Sequence, residues 1–175
     1  MRFAGNKNLS WGRPYYGLWG NVLDGCSGLE ELEICDGVRP QSTYDHPFGV
    51  CENLKKVTVG SGMAESIRCD GFPALERYET TAELESVRRD CFSDCPNLEV
   101  FSAPKAKIVY VNTAAFKGCS RLKQLDIDFW NVLRIDANAF AGCSMCAFGE
   151  VKLPRLQSEL GLAAFLGCED LTSVW

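Results

Sequence analysis

The sequence Phe116-Lys-Gly-Cys119-Ser-Arg-Leu122 returns along the chain in closely similar form. Each copy has a phenylalanine, a cysteine three residues later and a leucine three residues after that. Successive cysteines of this pattern are mostly 24 or 25 residues apart, and self-similarity at such a period is typical of solenoid proteins. The other copies are Phe48 to Leu54, Phe92 to Leu98 and Phe165 to Leu171, with Leu23 to Leu29 and Phe140 to Cys146 matching at most places.

Two copies depart from the pattern. Cys51 and Cys95 are separated by two periods, and Phe72 occupies the cysteine place between them, so the third copy is degenerate. In the sixth copy Val151 and Leu153 fall late, as a two-residue insertion would place them. The count predicts seven units, of which each is too small to bury its own apolar face and must stack on its neighbours.

Each unit also predicts its secondary structure. Alternating aliphatic residues after the leucine, as in Leu122-x-x-Leu125-x-Ile127, predict a short strand, and successive units would place these strands in a parallel sheet. The segment from Asn112 to Gly118 predicts one or two helical turns, with a polar cap at its start and glycine at its end. An aliphatic residue lies five places before each phenylalanine, at Val87, Val111, Ile135 and Leu160.

The pattern A-F-x-G-C-x-x-L-x-x-L-x-L resembles the BspA-type leucine-rich repeat. The resemblance implies an α/β solenoid, a right-handed leucine-rich-repeat coil of about seven units with one short parallel strand per repeat and short helical turns on the other side. We expect residues 22–175 to form this solenoid, with an uncapped carboxyl-terminal end. Residues 1–21 would be an amino-terminal cap or a partner-contacting segment. The resemblance also implies proteins of microbial surfaces, many of them adhesive.

The repeat accounts for nine of the ten cysteines. Six share the cysteine place and form a predicted interior ladder: Cys26, Cys51, Cys95, Cys119, Cys143 and Cys168. Cys91 takes the alanine place, Cys146 a leucine place and Cys69 the phenylalanine place of the degenerate copy, which leaves Cys35 unassigned. Because side chains of one column point the same way, we expect free thiols rather than a disulfide framework. The pair Cys143 and Cys146 has the spacing of half a zinc site, but lacks two further ligands, so no metal and no cofactor is predicted.

Composition and charge exclude several classes of function. The chain has 175 residues, 46% of them apolar, and a formal net charge of −5, which gives no basic face for nucleic acid. No apolar run is long enough to span a membrane. No secretory signal is visible, and together with the expected thiols this favours an intracellular location over the cell surface or secretion.

Catalysis has one candidate pair. The single histidine, His46, lies five residues before Cys51, as a thiol-dependent enzyme would allow. Since Cys51 belongs to the predicted interior ladder, its thiol should be buried and unreactive. The sequence therefore predicts a protein that is not an enzyme.

Surface residues are the remaining candidates for function. Phe129 and Trp130 follow the fifth strand, where the repeat requires neither, and either pack under a loop or bind a partner. Trp11, Tyr15, Tyr16 and Trp19 precede the first unit and form either a cap or a contact surface. The outward strand positions form a stripe for a partner or for solvent: Glu31, Glu33, Lys56, Thr58, Arg77, Glu79, Val100, Ser102, Gln124, Asp126, Glu150 and Lys152.

We therefore predict a protein-binding or scaffold module that is a fragment or subunit of a larger assembly. Its open carboxyl-terminal edge would suit protein partners or self-association. An adhesin-like protein of the cell surface or a secreted one is the alternative, and a thiol-dependent enzyme centred on Cys51 is a third possibility.

Overall fold

The structure is a computed structural model that describes residues 2–3, 26–36, 51–61, 64 and 68–175. Short strands follow one another at the period of the repeat. A single short 3-10 helix, η1, covers Phe129–Asn131 in the described part of the chain. The strands are β1 (Arg2–Phe3), β2 (Glu31–Ile34), β3 (Lys56–Val59), β4 (Arg77–Thr80), β5 (Ser86–Val87), β6 (Val100–Ser102), β7 (Tyr110–Val111), β8 (Gln124–Leu125), β9 (Arg134–Ile135), β10 (Gly149–Val151) and β11 (Leu171–Val174).

The main sheet contains six parallel strands in the order β1-β2-β3-β4-β6-β8. Each neighbouring pair joins one turn of the solenoid, here called a coil, to the next. Inward residues meet in register across the sheet and are buried or nearly so, while the residues between them face outward. The best aligned inward row is Leu32, Val57, Tyr78, Phe101 and Leu125. The predicted parallel sheet is thus confirmed for these coils, with one short strand from each coil.

A second parallel sheet closes the other side of the coils. It contains β5, β7 and β9, whose inward residues Val87, Val111 and Ile135 are at most 3% exposed. These are three of the four aliphatic residues that the repeat singles out. The fourth, Leu160, is 38% exposed and belongs to no strand, so this second sheet does not extend to it.

The predicted helical turns are wrong. Ala114 has a φ of 54° and Gly118 a φ of 77°, and residues in this left-handed conformation cannot continue a right-handed helix. They turn alternate N–H groups towards the next coil, so that the Phe116 N–H donates to the Ala139 carbonyl at 2.8 Å. The class is therefore a β-solenoid rather than an α/β solenoid. The same bond recurs from Phe92 to Ala115 and from Phe140 to Ala164.

The prediction of seven units is not supported, since the described residues form about five turns. Its regularity breaks after β8, because β10 pairs with β11 in a separate two-stranded sheet. The predicted insertion lies at this break: Gly149 has a φ of 54°, and the register of β10 against β11 shifts between Gly149 and Glu150. Such a bulge accommodates an extra residue by bending the strand.

Phenylalanine rings form a continuous stack inside the coils. Phe92, Phe116, Phe140 and Phe165 follow each other with ring centroids 5.2 to 5.5 Å apart and nearly parallel planes. Phe148, which the insertion brings in, packs edge-on against Phe140 and Phe165 at 5.3 Å. Aromatic pairs in these geometries stabilise a core beyond their buried area.

Candidate functional site

The cysteine ladder is an interior column. Cys51, Cys95, Cys119 and Cys143 have no exposed surface, Cys168 is 8% exposed and Cys26 is half-buried. The thiols of the later coils each donate a hydrogen bond to a carbonyl of the preceding coil, as from Cys119 Sγ to the Phe92 oxygen at 3.0 Å. Cys143 bonds to Phe116 and Cys168 to Phe140 in the same way, both at 3.2 Å. The predicted interior placement is therefore confirmed for the five ladder cysteines from Cys51 to Cys168, whereas Cys26 is only half-buried.

The degenerate copy exchanges its two interior residues. Cys95 Sγ donates to the Cys69 carbonyl at 2.8 Å, which places Cys69 where Phe92 lies one coil later. Phe72 lies in the cysteine place, and both Cys69 and Phe72 are at most 2% exposed. The coil therefore keeps its interior filled with the large and the small side chain in exchanged positions.

Burial makes the ladder thiols poor nucleophiles. Desolvation raises the pKa of Cys95 to about 12 and holds the pKa values of Cys119 and Cys143 well above the usual range. The reactive form of a cysteine is the thiolate, which these environments disfavour. All ten cysteines lie in the described ranges and none of them is disulfide-bonded, as predicted.

Neither proposed chemical site is assembled in the described residues. Cys51 is fully buried, and His46 lies outside the described residues. Cys143 and Cys146 are both buried, with raised pKa values caused mainly by desolvation. Among the residues that the structure describes, no group of three or more His, Cys, Asp or Glu side chains is placed to hold a metal ion.

Charged side chains on the outward stripe of the main sheet form ion pairs with each other. Glu79 accepts hydrogen bonds from Arg77 at 3.0 Å within its strand and pairs with Lys56 of the preceding strand at 3.1 Å. Burial alone would raise the pKa of Glu79, but these two cations hold it below its usual value. Asp126 accepts bonds from the Ser102 hydroxyl and the Ala103 N–H, both at 3.0 Å. Glu31 and Glu33 lie on β2 at the same face.

Phe129 and Trp130 have different environments. The half-buried ring of Phe129 packs against Phe140 at 5.8 Å and Phe148 at 6.0 Å, so packing under a loop describes this residue. Trp130 is 57% exposed. Its backbone N–H donates to the Asp128 carboxylate at 3.1 Å, which caps the start of η1. Trp11, Tyr15, Tyr16 and Trp19 lie outside the described residues.

Trp130 borders an open cleft that sequence reasoning missed. The cleft, here called the tryptophan cleft, encloses about 410 Å³. Trp175, which is 73% exposed, also lines it, and the indole Nε1 of Trp175 donates to Glu150 Oε1 at 2.7 Å. Three elements far apart in sequence build this site, so no local motif signals it. The lining residues are Trp130, Glu150, Lys152, Leu153, Pro154 and Trp175.

No helix among the described residues has both the length and the apolar content needed to cross a bilayer.

Comparison with curated proteins and with solved structures finds no significant match. A family model, the BspA-type leucine-rich repeat region, matches residues 65–175 in six copies. That span is more than half of the chain and contains the phenylalanine stack and most of the thiol ladder. The chain therefore belongs to the BspA-type leucine-rich-repeat family.

Proposed function

We propose that this chain is a non-enzymatic protein-binding module whose partner contacts the tryptophan cleft and the adjoining outward strand face. The observation that carries the proposal is the exposure of Trp130 and Trp175 on one cleft. Tryptophan is enriched among the residues that dominate binding energies, and its burial by a partner removes a large apolar area from water. Repeats of this kind commonly mediate protein interaction, which supports the proposal.

The outward strand face would form the polar rim of the binding surface around the tryptophan cleft. Its charges already pair with each other around Glu79, so each ion pair would add little affinity. Charged residues on such a face determine the orientation of a bound partner and disfavour other partners, and they contribute less to the affinity. Most of the binding energy would come from the two indoles.

The buried cysteines give little support to the alternative of a thiol-dependent enzyme. A thiol-dependent enzyme at Cys51 needs a side chain that reagents reach, and the fully buried Cys51 is not one. Mild alkylation of the intact protein tests this alternative. Rapid and selective modification of Cys51, with loss of a measurable turnover, would favour the enzyme.

Location and assembly are part of the same proposal. None of the ten cysteines forms a disulfide, which supports an intracellular scaffold over an adhesin-like protein at the cell surface or outside the cell. Leu162 and Leu166, 83% and 67% exposed on the last coil, support contact with a further coil or a second copy of the chain. Light scattering of the protein with and without Leu162→Asp tests that contact: a shift from oligomer to monomer supports it.

A pull-down from an extract of the native source tests the role of the cleft. The protein would be compared with Trp130→Ala and with Tyr110→Ala, a matched control that removes an exposed aromatic side chain from β7. We expect Trp130→Ala to lose at least one partner that both the unchanged protein and Tyr110→Ala retain. Identical recovery of every partner by all three would contradict the proposal.

A further inference from the structure

The tryptophan cleft presents flat apolar surfaces. The indoles of Trp130 and Trp175, the pyrrolidine ring of Pro154 and the side chain of Leu153 make up most of its lining. Leu153 is buried while both indoles are largely exposed, so two exposed aromatic rings form walls of the cleft beside a buried apolar side chain. Such walls suit a ligand with rigid, flat, apolar groups.

The charges of the cleft neutralise each other. Lys152 Nζ pairs with Glu150 Oε2 at 3.2 Å, and the other carboxylate oxygen, Oε1, accepts the indole N–H of Trp175 at 2.7 Å. A charged ligand would have to break this arrangement and leave one member unpaired. The complement of the cleft is therefore a neutral ligand.

The cleft lies on the side of the solenoid rather than between stacked coils. The Trp175 N–H donates to the Val151 carbonyl at 3.0 Å, and the Leu153 N–H donates to the Trp175 carbonyl at 2.9 Å. These bonds place Trp175 opposite Lys152, whose side chain points outward from the sheet. Stacking proceeds along the solenoid axis, so the cleft faces away from it.

We propose that the tryptophan cleft binds a neutral proline-rich segment in the polyproline II conformation, an inference that rests on the proposed function. Proline rings are compact, apolar and rigid, and proline-rich segments dock in aromatic-lined grooves with little loss of entropy. Their exposed carbonyls need donors. Trp130 and Lys152 line the cleft, and both side chains are donors: an indole N–H, and an ammonium group with three N–H bonds, of which the pair with Glu150 does not use all.

A neutral oligosaccharide fits the same cleft less well. Sugar hydroxyls need acceptors as well as flat faces, and the one carboxylate side chain of the cleft, Glu150, already accepts bonds at both oxygens. The other lining side chains are apolar or donate hydrogen bonds. The chemistry of the lining thus favours a ligand that accepts hydrogen bonds along its backbone and donates none, as polyproline does.

Isothermal titration calorimetry with an acetylated, amidated decaproline peptide tests the proposal. We expect the unchanged protein and Tyr110→Ala to bind the peptide, and a glycine–serine decapeptide to give no heat. Trp130→Ala and Trp175→Ala should each weaken binding by about tenfold or more, because each removes one aromatic wall. Circular dichroism and thermal unfolding confirm that the variants fold, which the exposure of both indoles favours.

Several results would overturn this inference. The inference is contradicted if decaproline does not bind the protein, or if the glycine–serine decapeptide binds it equally well. It is also contradicted if Trp130→Ala binds decaproline as tightly as the unchanged protein does. Binding of cellohexaose in place of decaproline would reject the peptide in favour of a sugar. Loss of a native partner by Trp130→Ala together with no decaproline binding would reject this inference and leave the proposed function intact. Decaproline binding that depends on Trp130, with unchanged recovery of native partners, would support the peptide site and reject the proposed function.

Discussion

The regular coils, residues 87–125, and the irregular coils, residues 126–175, use phenylalanine in different ways. In the regular coils each ring, such as Phe92 or Phe116, lies at its repeat position with almost no exposed surface. In the irregular coils Phe129 and Phe148 lie outside the repeat pattern and crowd around Phe140. The same region holds the exposed Trp130. The difference shows that the repeat specifies the interior, while departures from the repeat create the surface that suits a partner.

The largest expected effect separates the two regions by stability. Phe116→Ala removes a ring that contacts Phe92, Phe101 and Phe140, and should lower the free energy of unfolding by about 3–5 kcal/mol. Phe165→Ala should cost less, because the half-buried ring of Phe165 is partly exposed to water already. Urea denaturation followed by circular dichroism measures both. Equal losses would mean that the two regions are packed alike.

Much of the interior could be predicted from the sequence, because each buried residue repeats at a fixed distance along the chain. The thiol ladder, the inward strand residues and the exchange of Cys69 with Phe72 all follow from that period. The turns could not be predicted, since Ala114 takes a left-handed conformation that alanine rarely adopts. Backbone hydrogen bonds to the next coil offset the energetic cost of that conformation. A prediction from local helix propensity does not take these bonds between coils into account.

The tryptophan cleft could not be predicted for a related reason. The sequence assigns Glu150 and Lys152 only to the outward stripe and singles out Trp130 because the repeat does not require it. Its apposition to Pro154 and Trp175 depends on how three coils align around the insertion before Val151. Distances of that kind follow from tertiary packing, and no spacing within the sequence records them.

A second prediction compares two glycines with positive φ. Gly118→Ala in a regular coil should cost about 1 kcal/mol for the left-handed conformation, and more because the new Cβ would lie 3.0 Å from Asp94 Oδ1. Gly149→Ala in an irregular coil has the same conformational cost but meets no atom within 4 Å. Thermal unfolding should therefore give a lower midpoint for Gly118→Ala. A reversed order would contradict the close stacking of the regular coils.

A third, smaller effect concerns the pH dependence of the strand face. Lys56 and Arg77 hold the pKa of Glu79 below its usual value. The stability that Glu79 contributes is therefore present above its pKa in the unfolded chain, about 4.3, and is lost as the pH falls through the lower folded value. The difference in unfolding free energy between the protein and Glu79→Gln should shrink as the pH falls from 7 to 3. A difference that stays constant over this range would show that the ion pairs do not stabilise the fold.

The smallest effect on stability is expected at the cleft. Trp130→Ala removes a side chain that is more exposed than buried, so the free energy of unfolding should change by no more than about 0.5 kcal/mol. Chemical denaturation measures this change, and Phe129→Ala, which removes the neighbouring packed ring, serves as the comparison variant with the larger expected loss. A loss at Trp130 as large as that at Phe129 would place the indole in the core and remove it as a contact residue.

Cysteine alkylation of the folded protein, read by peptide mass spectrometry, tests the interior thiol column most directly. With iodoacetamide under native conditions, Cys35 and Cys26, which are half-buried, should be modified first. Cys95, Cys119 and Cys143 have no exposed surface and should be modified only after denaturation. Modification of these three in the folded protein as fast as Cys35 would contradict the stacked interior on which the fold and the proposed binding role depend.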